Sequence, residues 1–230
     1  MRLAARMIFG SMALAMLAGG CDSGAENGVD PVPRSRARAV EVEPASGPLV
    51  IFLGNSLTAG YGLSEEEAFP ALWAAGRRDQ GQPVRMVNAG ISGDTTAGGL
   101  ARVDWLLRQR PDVLVVELGA NDGLRGLALE ETRANLDQII RRSRAAGTHV
   151  LLLGMQIPPS YGADYSGEFA SLFADLAAQH EIVLMPFLLA GVAAEPQLNQ
   201  VDGIHPNADG HRLLAVNIAP FLEEVLAGLS

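Results

Sequence analysis

From residue 49 onward the chain alternates short apolar runs with longer amphipathic stretches. Leu49-Val50-Ile51-Phe52-Leu53 places five apolar residues in a row, the signature of a strand buried on both faces. The run breaks into Gly54, Gly60 and Gly62, which predict a turn or loop. Further strand-like runs occupy residues 84–88, 113–118, 149–155 and 182–185. Between them the apolar positions recur at helical spacing. Residues 69–79 read as a helix. So do 99–110, with Leu100, Val103, Leu106 and Leu107 on one face, and 129–146, with Leu136, Ile139 and Ile140 inward. Residues 168–180 place Phe169, Leu172, Phe173 and Leu176 together, and 207–229 form a last helix with Pro220 inside it. Trp73 and Trp105 fall at core-facing positions. Strands alternating with helices predict βα units and a parallel sheet, whose right-handed crossovers cover both faces.

The first 47 residues have a different character. Arg2 and Arg6 precede an apolar run over 7–18, too short to span a membrane as a helix but suited to an export signal over residues 1–20. The run ends Leu17-Ala18-Gly19-Gly20-Cys21, which resembles a bacterial lipoprotein processing site with its leucine one place early. That resemblance implies cleavage before Cys21, lipid on its thiol, and a membrane anchor facing the periplasm. The alternative is plain export of a soluble periplasmic or secreted protein. Residues 21–47 are rich in Ser, Gly, Pro, Ala and charge and read as a flexible linker. The folded domain is expected over 48–230.

Composition narrows the chemistry. All 17 basic residues are arginine, which excludes a Schiff base, a Walker lysine and a Ser-Lys dyad. A net charge of −9 disfavours a nucleic-acid partner. The single cysteine excludes an internal disulfide and a four-cysteine zinc site.

Four loops carry unusual polar clusters: Gly54-Asn55-Ser56-Leu57, Gly90-Ile91-Ser92-Gly93-Asp94-Thr95, Gly119-Ala120-Asn121-Asp122-Gly123, and Asp202-Gly203-Ile204-His205-Pro206. In a doubly wound sheet the loops at the carboxyl ends of neighbouring strands converge. The convergence of the fourth is inferred from its chemistry. A serine hydroxyl needs a base; His205 supplies one, and Asp202, three residues earlier, holds the imidazole. The developing oxyanion needs preorganised donors: the N–H groups of Ser56 and Gly93 and the side-chain amide of Asn121.

Ser56, Gly93, Asn121 and His205, in that order, with Asp202 completing Asp-x-x-His, resemble the SGNH (GDSL) hydrolases. Within them the chain is similar to the bacterial periplasmic thioesterase/lysophospholipase and arylesterase group, through residues 91–95, 116–126, 158–162 and 202–207. The resemblance implies a flavodoxin-like three-layer α/β/α sandwich with a five-stranded parallel sheet. It implies a serine esterase of acyl esters, lysophospholipids or thioesters that works without a cofactor, and a substrate-binding loop at Pro158, Pro159 and Tyr161. Asn55 stands where the family usually has aspartate.

Three other readings compete. An α/β-hydrolase expects Gly-x-Ser-x-Gly, but position 58 is Thr58. A flavodoxin-like binding domain would use Ser56 and Thr58 for phosphate and leaves Asn121, Asp202 and His205 without a role. An acyltransferase would use the same site with an alcohol as acceptor. A metal site at Asp202, His205, Asp209 and His211 lacks a third nearby histidine. With His205 as base, activity is expected to fall as pH drops through about 6–7.

Overall fold

The computed structural model describes residues 47–229. The export signal, Cys21 and nearly all of the linker lie outside the described residues. Among the described residues five strands form one parallel sheet: β1 (Leu49–Gly54), β2 (Arg85–Gly90), β3 (Val113–Glu117), β4 (His149–Leu153) and β5 (Val183–Met185), in the order β2-β1-β3-β4-β5. Every residue of β1 and of β3 is buried. That explains why both read as unbroken apolar runs rather than alternating ones. β2 lies at the edge and is more exposed.

Among the described residues the α-helices are α1 (Ser56–Ala59), α2 (Phe69–Asp79), α3 (Thr96–Leu107), α4 (Ala120–Leu124), α5 (Leu129–Ala145), α6 (Ala163–His180) and α7 (Ala208–Ala227). α2 packs on α7, and α5 packs on both α3 and α6, giving the layers expected of a doubly wound sheet. Thr95 caps α3 by accepting from the Gly98 N–H, and Asn207 caps α7 by accepting from Asp209 and Gly210. α7 continues through Pro220. Phe52 lies at the centre of the core, edge-on to Phe69 and Trp73 at 5.8 and 5.7 Å. No helix among the described residues is long and apolar enough to cross a membrane.

Two expectations need correction. The segment after β1 is not simply a loop. Asn55 accepts from the Leu57 N–H at 3.0 Å and so starts the single turn of α1 at Ser56. Trp105 is 59% exposed, not core-facing; the buried stripe of α3 runs through Val103, Leu106 and Leu107 instead.

The register aligns Gly54 of β1 with Gly90 of β2 and Glu117 of β3. The loops that follow these strands therefore begin at one level. The opposite edge of the sheet holds the amino ends of the strands. There Gly228, just past α7, lies beside His149, the first residue of β4.

Candidate active site

β1 and β3 are neighbours although β2 lies between them in sequence, so the crossovers diverge between them. A crevice opens at the carboxyl end of that pair. Ser56 is the first residue past the Asn55 cap on β1. His205 reaches it from 149 positions away: Ser56 Oγ lies 2.9 Å from His205 Nε2. His205 Nδ1 lies 2.7 Å from Asp202 Oδ2. The other Asp202 oxygen accepts from the backbone N–H groups of Ile204 (2.9 Å) and His205 (3.0 Å). Hydrogen bonds from the His205 side chain, then from the His205 and Ile204 backbone, hold the Asp202 carboxyl down to about 2. An ionised Asp202 accepts from Nδ1–H, which leaves Nε2 as an acceptor for the serine proton.

The loop bearing the histidine is tied to the serine side of the crevice by Gln200. Its backbone N–H donates to the His205 carbonyl, and its side-chain amide donates to the carbonyls of Tyr61 and Pro206. The Tyr61 ring lies 4.5 Å from the imidazole.

The three expected oxyanion donors sit on separate elements. The N–H groups of Ser56 and Gly93 donate to no protein group among the described residues. Gly93 has φ +82, a left-handed conformation that a side chain would strain. Asn121, in α4, donates one amide hydrogen to the Asp94 carbonyl at 2.8 Å. Its second hydrogen makes no hydrogen bond to protein among the described residues. Arg102 holds this region together by donating to Asp94 Oδ2 and to the carbonyls of Ala89 and Gly54.

A cavity of about 590 Å³ adjoins Ser56 and His205, within the range of small-molecule sites. Its wall is largely apolar, with Leu124, Met155, Ile157, Phe187 and Leu189 beside Pro158 and Pro159. Tyr161 lies outside that wall, and its hydroxyl donates to the Leu124 carbonyl. His211 is buried and its Nδ1 accepts from the Phe69 N–H. Burial lowers its pKa to about 4, so it is neutral near pH 7. No group of three His, Cys, Asp or Glu among the described residues is arranged to hold a metal ion.

Sequence reasoning gave no role to Arg102, Gln200 or Glu117, and offered Thr58 only as a phosphate ligand in the flavodoxin-like reading. Only Glu117 carried a signal, as one acidic residue inside a run otherwise apolar and buried.

A model of the GDSL-like lipase/acylhydrolase family matches residues 52–213. The chain is 41% identical to Esterase TesA of Pseudomonas aeruginosa over 185 residues, 80% of this chain and 92% of that protein. It is 40% identical to Thioesterase 1/protease 1/lysophospholipase L1 of Escherichia coli over 184 residues, 79% of this chain and 86% of that protein. A crystal structure of TesA superposes with a TM-score of 0.75 at 42% identity, covering 77% of this chain and 99% of that one.

Proposed function

The chain belongs to the GDSL-like lipase/acylhydrolase family and is an SGNH-type serine esterase, and on that premise we propose that Ser56, His205 and Asp202 form its catalytic triad. The observation that carries this reading is the pair of contacts at 2.9 and 2.7 Å linking three side chains from distant parts of the chain. Ser56 Oγ attacks the acyl carbonyl while its proton passes to His205 Nε2. Asp202, held ionised, steadies the imidazolium. The carbonyl oxygen becomes an oxyanion among the Ser56 N–H, the Gly93 N–H and the free Asn121 hydrogen. His205 then returns the proton to the leaving alcohol or thiol. Water, deprotonated by the same imidazole, releases the acid from the acyl-enzyme.

The substrate class follows from the cavity. Its apolar side accepts an acyl chain, and the open side beside Ile204 and Gly203 accepts the leaving group. The names of the relatives favour acyl thioesters and lysophospholipids alongside simple esters. The N-terminal pattern around Arg2, Arg6 and Cys21 supports an exported domain, with residues 48–230 carried on a lipid-anchored linker. Intact mass of the mature protein tests this, since an acylated Cys21 is expected at its amino end.

The decisive measurement is hydrolysis of p-nitrophenyl esters from C2 to C12 by the wild type and by Ser56→Ala. The variant is expected to fold normally and lose turnover on every ester. A folded Ser56→Ala enzyme with wild-type turnover refutes the assignment.

A further inference from the structure

The two halves of the Ser56–His205 pair are held in different ways. Ser56 opens α1, and that turn is fastened to the sheet: the N–H groups of Asn55 and Thr58 donate to Glu117 at the end of β3, at 3.1 and 3.3 Å. His205 belongs to no strand and no helix. It lies in the stretch between β5 and α7, which holds a single short helical turn at Pro196–Leu198 and an isolated bridge between Asn199 and Pro206. A segment of this kind opens more readily than the sheet from which it hangs. The 2.9 Å contact between Ser56 Oγ and His205 Nε2 therefore needs a restraint of its own.

That restraint runs through Tyr61 and Gln200. The Tyr61 N–H donates to the Ser56 carbonyl at 3.0 Å. The Tyr61 carbonyl accepts from Gln200 Nε2 at 2.6 Å. The Gln200 N–H donates to the His205 carbonyl at 2.8 Å. Three hydrogen bonds in series thus join the carbonyl of the serine to the carbonyl of the histidine, alongside the direct contact of their side chains. Gln200 Nε2 also donates to the Pro206 carbonyl at 3.0 Å. Two carbonyls facing one atom require two hydrogens on that atom, and a side-chain amide supplies both. Gly62 lets the chain pass this close: its φ is +79, and a Cβ there would lie 2.5 Å from Gln200 Oε1. The Tyr61 side chain adds a second hold. Its ring centroid lies 4.5 Å from that of the imidazole, at a tilt of 38°, within the range over which an aromatic ring attracts a cation.

We propose that Gln200 and Tyr61 are positioning residues that strap the base against the nucleophile. Gln200 sets the separation of the two backbones. The Tyr61 ring backs the imidazole and attracts it once it carries the serine proton. The proposal rests on Ser56 and His205 being nucleophile and base. The wall of the acyl cavity includes neither Gln200 nor Tyr61, so the effect belongs in kcat rather than KM.

The test is kcat and KM on p-nitrophenyl butyrate at pH 8, with circular dichroism for folding and Ser56→Ala as control. Gln200→Met keeps the length of the side chain and removes both hydrogens. Because misplacement by about 1 Å can cost about 100-fold, kcat is expected to fall about 10-fold or more, with KM held within about threefold. Tyr61 is half exposed, so its variants should fold. Tyr61→Phe keeps the ring and is expected to stay within about twofold of wild type. Tyr61→Leu keeps apolar bulk without the π face, and its kcat is expected to lie about two- to fivefold below that of Tyr61→Phe. A folded Gln200→Met enzyme with wild-type kcat overturns the proposal, as does a change confined to KM, which would make Gln200 a substrate contact. Equal kcat in Tyr61→Leu and Tyr61→Phe overturns the part given to the ring. If Gln200→Met does not fold, the Tyr61 pair carries the test, and equal values overturn the whole. Loss of activity in Ser56→Ala beside an indifferent Gln200→Met would sink this proposal alone. A fully active Ser56→Ala would sink the assignment of the nucleophile beneath it.

Discussion

Replacing Asp202 by asparagine is expected to damage this enzyme more than replacing it by alanine. Asp202 Oδ1 accepts two backbone N–H groups, from Ile204 and His205. An asparagine must keep its oxygen there, because its NH2 would otherwise face two donors. The NH2 is then forced into the place of Oδ2, 2.7 Å from His205 Nδ1. It donates, so Nδ1 must accept, and the imidazole proton moves to Nε2. There it points at Ser56 Oγ, and the base has lost its vacant lone pair. The corresponding change in a serine protease triad lowers kcat by about 10⁴, equivalent to about 5 kcal/mol of barrier. Alanine removes the orienting carboxylate but leaves both tautomers accessible, so a smaller loss is expected. The assay is kcat and KM on p-nitrophenyl butyrate for Asp202→Asn and Asp202→Ala, with circular dichroism to confirm folding. Asp202 is partly exposed on a surface loop, so both variants should fold. An asparagine variant that keeps more than about a hundredth of wild-type kcat, or that outruns the alanine variant, would refute the tautomer argument.

Asn121→Ala removes the proposed side-chain oxyanion donor and should lower kcat about 100- to 1,000-fold; an unaffected kcat would remove Asn121 from the oxyanion site. Leu151→Ala, at a wholly buried position in β4, should cost about 2–5 kcal/mol in urea unfolding while the kcat of the folded fraction stays put; a cost under about 1 kcal/mol would contradict the packing described. Glu117 also makes stability depend on pH. Burial raises its carboxyl from near 4.5 to about 7, against the pull of its hydrogen bonds. Between those values the folded protein keeps a proton that the unfolded chain releases. This contribution is full below about pH 4.5, is lost as pH rises to about 7, and amounts to about 3 kcal/mol. The difference in unfolding free energy between wild type and Glu117→Gln should therefore change between pH 4.5 and pH 8. An equal difference at both pH values would show that Glu117 does not titrate in this way.

The strands were legible because this sheet is buried on both faces, which leaves β1 and β3 as apolar runs without the alternation that confuses strand with loop. The residues of the proposed triad could be picked out because they are rare in combination: a serine after the first strand, and an aspartate three residues before a histidine near the end. What stayed hidden depends on distant partners. Nothing near Ser56 in sequence announces that Glu117, 61 positions on, will meet the residues flanking it. Glycines on both sides made α1 look like a loop, although Asn55 was an ordinary helix cap. Trp105 followed the helical period of its neighbours but lay just off the buried stripe, and a large aromatic can stand exposed. The ties made by Gln200 and Arg102 run to backbone carbonyls, which leave no mark in the identity of the residues that receive them.

In a parallel sheet every strand starts at the same side, and here that side is the one away from the crevice. The polypeptide enters the domain at Leu49 and leaves it near Gly228, beside His149, so both attachment points lie on the far wall. A domain held by either end presents its catalytic mouth outward, away from the support. Fusion to a carrier or immobilisation through a terminal tag should leave turnover of dissolved esters intact.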